Sequence, residues 1–191
     1  MLSISTEIRS SSQESGGVLA SLQRTLKDKR PLNKSIAAVC EILTRRHITE
    51  VAAPTRHTTA NRLGATPTGY IREVAEATES DFDGDSARVK MYGSILRRVL
   101  GDVIVLPLKG KYLTIPATAE AFGRRAGEVP GLAFGIVNGR AALQRDGEAI
   151  FWLVRRVRLP QDTGLIPTDE QYAAAAELGA REYWEEALGE V

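Results

Sequence analysis

The sequence predicts an α+β fold, and three observations carry that expectation. Apolar residues recur every three or four positions near the start of the chain and again near its end, the spacing of amphipathic helices. Short apolar runs, broken by prolines and tight-turn dipeptides, fill the middle. Helical and strand-like stretches are thus segregated rather than alternating, which argues α+β over α/β. The 191 residues are expected to form a polar arm over 1–17 and a single domain over 18–191, since a domain takes roughly 100–200 residues. A chain of this length buries about 70% of its unfolded surface, so it needs no metal or disulfide to hold a core.

In order along the chain, Met1 to Gly17 is serine-rich and reads as a flexible arm or a short edge strand. It lacks the basic start and apolar stretch of a secretory signal. Val18, Leu19, Leu22 and Leu26 then recur at helical spacing, until Pro31 stops or kinks that helix. Leu32, Ile36, Val39, Cys40 and Leu43 form the clearest stripe and predict a helix over 32–49 with Ile36 and Leu43 in the core. Residues 51–69 are rich in Thr, Pro and Gly and predict a long loop, available to reach a neighbouring subunit. Tyr70, Ile71, Val74 and Ala75 begin a short helix; Asp81 to Asp85 form a turn; Arg88 to Tyr92 alternates as a strand does.

Strands are expected at Val103 to Leu106 and at Tyr112 to Ile115, the latter ended by Pro116. Ala117 to Arg125 suggests one or two helical turns. Leu132 to Val137 and Ala149 to Leu159 are expected to pair, joined by a segment holding Asn138-Gly139 and Asp146-Gly147. Thr168 and Gln171 make a capping box that opens a helix over 169–188, burying Tyr172, Ala176, Tyr183 and Leu188.

Composition narrows the function. Lys and Arg number 25 against 24 Asp and Glu, so the basic surplus of a dedicated nucleic-acid binder is absent. No apolar run approaches the roughly 20 residues of a membrane span. His47, His57 and Cys40 do not make a four-ligand zinc site, so neither metal nor other cofactor is expected. The turn Asp81-Phe82-Asp83-Gly84-Asp85 lacks the later glycine and glutamate of a calcium loop, with Ser86 and Tyr92 in their places. Gly110-Lys111 lacks the companions of a phosphate loop, with Val105 and Tyr112 there instead. No nucleophile elbow is present. The expectation is therefore a protein without catalytic activity. Two basic clusters, Arg97-Arg98 and Arg155-Arg156-Arg158, are the candidate subunit or partner interface. Acidic residues gather at Asp81 to Asp85 and at Glu182 to Glu186, so opposite patches on successive subunits could pair.

One stretch carries a resemblance. Gly101-Asp102-Val103-Ile104-Val105-Leu106-Pro107, then Lys111-Tyr112-Leu113-Thr114-Ile115-Pro116, then Ala119-Glu120-Ala121-Phe122-Gly123, resembles tailed-phage virion-morphogenesis proteins, the tail-completion or neck proteins that include tail terminators. Phe151 to Val157 resembles their late strand, and Leu165-Ile166-Pro167 the turn after it. The likeness runs over about 32–188 and is sharpest at 101–123; Asp102 stands where the family often has a second glycine. It implies a homo-oligomeric ring, sixfold in that family, at the head–tail junction of a virion assembled in the host cytoplasm. Such a ring caps the tail tube protein and docks to the head connector or stopper protein. Genomic double-stranded DNA passes through the lumen without sequence-specific contact, and no membrane is involved. The runner-up is the head-closure, or stopper, layer; the rival from another class is a small enzyme with a dispersed site.

Overall fold

In this computed structural model, residues 15–56 and 58–189 are described. The protein is α+β. It runs through α1 (Ser15–Lys27), α2 (Arg30–Arg46), a π-helical segment (His47–Ala52), α3 (Ala53–Thr55), α4 (Thr58–Leu63), a 3-10 turn (Gly69–Ile71) and α5 (Arg72–Glu76). A hairpin follows, β1 (Glu79–Phe82) and β2 (Ala87–Lys90), then a 3-10 turn (Ser94–Leu96), α6 (Arg97–Leu100), β3 (Val103–Val105) and β4 (Leu113–Pro116). The rest is a 3-10 turn (Ala126–Glu128), β5 (Ala133–Val137), β6 (Arg140–Arg145), β7 (Glu148–Val154), β8 (Val157–Leu159), a 3-10 turn (Thr163–Leu165) and α7 (Asp169–Gly189). All strand pairings are antiparallel. The protein's segments group into two compact units that interleave along the chain. Among the described residues, one comprises 15–50, 73–93 and 166–189; the other comprises 51–56, 58–72 and 94–165.

The first unit is built on α2 and α7. The arm expected over 1–17 lies outside the described residues except for 15–17, which open α1. Leu19 and Leu26 of α1 are exposed and Leu22 is half-buried. Pro31 sits in the first turn of α2, where a missing N–H costs nothing, so it marks the start of α2 after α1 has ended at Lys27. Between the helices, Asp28 accepts from the Arg30 backbone N–H at 3.1 Å and from its guanidinium at 2.8 and 2.6 Å. The guanidinium, foremost, holds the Asp28 carboxyl down at about 2. The foreseen stripe of α2 faces inward, but its deepest residues are Ala37, Cys40 and Thr44; Ile36 and Leu43 are only half-buried.

The capping box that opens α7 forms as its residues dictate. The Gln171 N–H donates to Thr168 Oγ1 at 3.3 Å, and the Thr168 N–H donates to Gln171 Oε1 at 2.9 Å. The buried line of α7 is Ala175 and Gly179, with Tyr172, Ala176 and Tyr183 half-buried; Leu188, expected inside, is exposed. Gly179 is where α2 comes closest. A Cβ added there would lie 2.8 Å from Ile36 Cα and 3.0 Å from the Ser35 carbonyl oxygen. Ser35 Oγ donates to the Gly179 carbonyl at 2.8 Å. The tyrosine hydroxyls extend the clasp: Tyr172 bonds Thr44 of α2 at 2.9 Å, and Tyr183 bonds Thr25 of α1 at 2.7 Å.

The acidic turn belongs to the β1–β2 hairpin. Asp83 Oδ1 accepts from the backbone N–H groups of Asp85 and Ser86, both at 2.8 Å, and Asp83 Oδ2 accepts from Arg88 at 2.5 Å. The Asp85 amide first, then Arg88, draws the Asp83 carboxyl down to about 2. Asp81 is bridged by Lys90 at 3.0 Å and Arg88 at 3.4 Å. Glu41 of α2 accepts from the Ser80 N–H at 2.9 Å while bridging Arg45 at 2.8 Å, which anchors the hairpin to the helix.

In the second unit, the expected loop over 51–69 is largely helical instead: among the described residues, the π-segment, α3, α4 and the turn at Gly69–Ile71 leave Arg56 and 64–68 without helix. Ala52, Ala53 and Ala60 account for the difference. These strong helix formers are small enough to be fully buried among the Thr, Pro and Asn that suggest a loop. Ala117 to Arg125, expected as helix, forms consecutive reverse turns. Phe122 N–H donates to the Ala119 carbonyl and Arg124 N–H to that of Ala121, both at 3.2 Å, and Gly123 then breaks the helical sense with φ of +79°.

A four-stranded sheet of order β4-β7-β6-β5 carries this unit's core. The two runs expected to pair with each other do not, because β6 lies between them. Asn138-Gly139 (φ 50° and 74°) and Asp146-Gly147 (φ 53° and 81°) form the two hairpin turns, with both central residues at positive φ. Phe151 is fully buried with Ala121, Val129 and Ile150, and Ala126, Leu132 and Leu143 pack against that cluster. The run 149–159 is also not one strand. It breaks at Arg155-Arg156, and β8 leaves to pair with β3 in a separate two-stranded sheet.

Candidate assembly surface

Residues 101–108 alternate strictly between half-buried and exposed. Val103, Val105 and Pro107 turn inward, and Ile104, Leu106 and Leu108 turn outward. Ile104 and Leu106 are each 59% exposed and Leu108 entirely so. Period-two alternation normally puts the apolar residues of such a segment inside; here both faces are apolar. The ladder pairs Val103 with Leu159, Ile104 with Arg158 and Val105 with Val157. β3 has β8 on one side only, so its other edge is open. Leu100, just before the strand, is exposed as well. The sheet of β4 to β7 ends in a similar edge, where Phe134 and Ile136 of β5 are 65% and 72% exposed. Exposed apolar rows of this kind are candidate interaction surfaces.

The five arginines expected at an interface divide into different roles. Arg98 is spent inside its unit. Its side chain is 15% exposed, its Nε donates to the Pro160 carbonyl at 3.1 Å, and it bridges Asp162 at 3.4 Å. Arg56 reaches the same carboxylate at 3.3 Å, so Asp162 joins 56, 98 and the chain after β8. Arg158 is exposed beside Ile104 and donates through Nε to Asp102 Oδ2 at 2.7 Å. That bond is the chief reason the Asp102 carboxyl lies below its ordinary range. Arg97, Arg155 and Arg156 are exposed and form no ion pair among the described residues. The structure therefore gathers Arg155, Arg156 and Arg158 at one end of the β3–β8 ribbon and removes Arg98 from the set. Sequence reading missed Ile104, Leu106 and Leu108, which look like ordinary strand residues until their faces are known.

Two hollows are lined mainly by apolar residues. One, of about 360 Å3, is lined by Ile36, Cys40, Val89, Met91, Tyr172 and Ala176 in the first unit. Burial pushes the Cys40 thiol up, the wrong direction for a thiolate nucleophile. The other, of about 500 Å3, lies over β7 in the second unit, where the Arg140 guanidinium sits 5.9 Å from the centre of the Trp152 ring. Among the described residues, no group of three His, Cys, Asp or Glu is placed to hold a metal ion; His57 lies outside them. No described helix is long and apolar enough to cross a membrane. Comparison with protein-family models, curated proteins and solved structures found no match to this chain.

Proposed function

We propose that this protein is a structural subunit of a closed homo-oligomeric ring at the head–tail junction of a tailed phage. In this reading it ends the tail tube, docks it to the head connector and catalyses no reaction. The observation that carries the assembly role is the outward apolar row of Ile104 on β3 and Leu106 and Leu108 just after it, beside an edge of β3 that pairs with no other strand. An unpaired edge with an apolar face is a template for another chain, and monomeric proteins guard against it with charge, proline or cover. Here Pro107 and the Asp102–Arg158 pair interrupt it, and Lys109 follows the row, yet its apolar residues stay exposed. The place in a virion rests on the resemblance at 101–123, whose residues fall on β3, β4 and the turns between and after them. The ring would be sixfold, with double-stranded DNA passing through its lumen.

The test is genetic. In a phage whose genome encodes this chain, loss of the protein is expected to leave unjoined heads and tails, or tails of abnormal length. Abnormal length would favour the tail terminator, and unjoined heads beside tails of normal length the stopper layer. Joined, infectious particles at normal yield would contradict both.

A further inference from the structure

We infer that the occupant of the β3–β8 ribbon is the C-terminal half of α7 from a second copy of this chain. The inference rests on the ring reading and names the two surfaces that meet.

The ribbon has a specific chemistry. Ile104, Leu106 and Leu108 supply an aliphatic row, Arg158 stands across the ladder from Ile104 with its charge met by Asp102, and Arg155 and Arg156 are exposed and unbridged among the described residues at the bend before β8. Lys109 and Lys111 follow Leu108 and are exposed too. Its partner must therefore offer apolar contact and negative charge together.

Two acidic regions of the chain compete for that part. The hairpin is already compensated, since Asp81 and Asp83 are bridged by Arg88 and Lys90. On α7, Glu182 and Glu185 are exposed and form no ion pair among the described residues. Glu186 instead lines a hollow with Arg24 and Lys34 of its own unit. Leu178, Glu182 and Glu185 share one helical face at i, i+4 and i+7, and exposed Leu188 continues it one turn on. Arg181 is the only cation between 177 and 188, against four glutamates. α7 thus matches the ribbon in both chemistries. A contact between two different surfaces is heterologous, and it closes a ring where the rotation from copy to copy closes on itself.

The experiment is sedimentation velocity on the full chain at about physiological salt, with circular dichroism to confirm folding. Three variants are compared with the parent: R155E/R156E, E182R/E185R and the four-fold combination. Each double reversal is expected to weaken association roughly tenfold or more, and the combination to restore it, because like charges across a contact repel and swapped charges attract. If the parent assembles and both reversals assemble equally well, the pairing is wrong while the ring reading stands. Dissociation by either reversal without rescue in the combination also overturns it. A parent that stays monomeric at every concentration removes the ring reading and this inference with it. If R155E/R156E keeps its assembly but loses retention of a short DNA duplex, the arginines serve nucleic acid and the inference fails.

Discussion

Replacing Phe151 by alanine is expected to destabilise the protein by about 3–5 kcal/mol, the cost of truncating a fully buried phenylalanine. Phe151 is 0% exposed and sits at the centre of the cluster with Ala121, Val129 and Ile150. β7 is an interior strand of its sheet, flanked by β4 and β6, so the backbone there has little freedom to collapse into the space left. Denaturant unfolding measures the change; a cost below about 1 kcal/mol would mean that this cluster does not carry the second unit's core.

The second large effect is expected at Gly179, and its sign is informative. A glycine inside a helix is normally a liability, and Gly→Ala there gains about 1 kcal/mol of helix propensity. At Gly179 the added Cβ meets the backbone of α2, 2.8 Å from Ile36 Cα, and backbone cannot turn aside as a flexible side chain can. Forcing extra volume into a packed contact costs about 1–3 kcal/mol, so the clash outweighs the propensity gain. Gly179→Ala should therefore destabilise, and Gly179→Val should cost about 2–3 kcal/mol and disturb the Ser35–Gly179 hydrogen bond. A stabilised Gly179→Ala variant in thermal unfolding would show that α2 and α7 do not approach this closely.

These two sites mark what the sequence could and could not disclose. Local chemistry was legible. Thr168 and Gln171 cap α7 because a capping box needs nothing beyond its own four residues, and Asn138-Gly139 and Asp146-Gly147 turn because both residues tolerate positive φ. Strand β6 was missed because Arg-Ala-Ala-Leu-Gln-Arg lacks β-branched residues, although two hairpin turns six residues apart imply a strand between them. β1 was missed for a similar reason, since Glu-Ser-Asp-Phe has no apolar alternation and is held by Glu41 and by pairing with β2. The helices within 51–69 were obscured because alanine contributes little to an apolar pattern yet packs fully. The buried line of α7 was obscured likewise, since Ala175 and Gly179 are too small to register as a stripe.

The candidate surface was legible in part. Arg155, Arg156 and Arg158 are exposed, whereas Arg98 has its partner 64 residues away, at Asp162, and no spacing rule finds that. The outward turn of Ile104, Leu106 and Leu108 was equally hidden. A short apolar run gives no sign of which of its faces is covered; the half-burial of Val103 and Val105 against the exposure of Ile104 is what distinguishes them.

Assembly through that surface is the central claim, and native mass spectrometry of the purified chain tests it most directly. The account predicts one discrete species at a multiple of the chain mass, six by the proposed reading, which falls to monomer when Ile104, Leu106 and Leu108 are replaced together by Asn, Gln and Gln. A parent protein that is monomeric throughout, or an oligomer that survives the triple replacement unchanged, would contradict it.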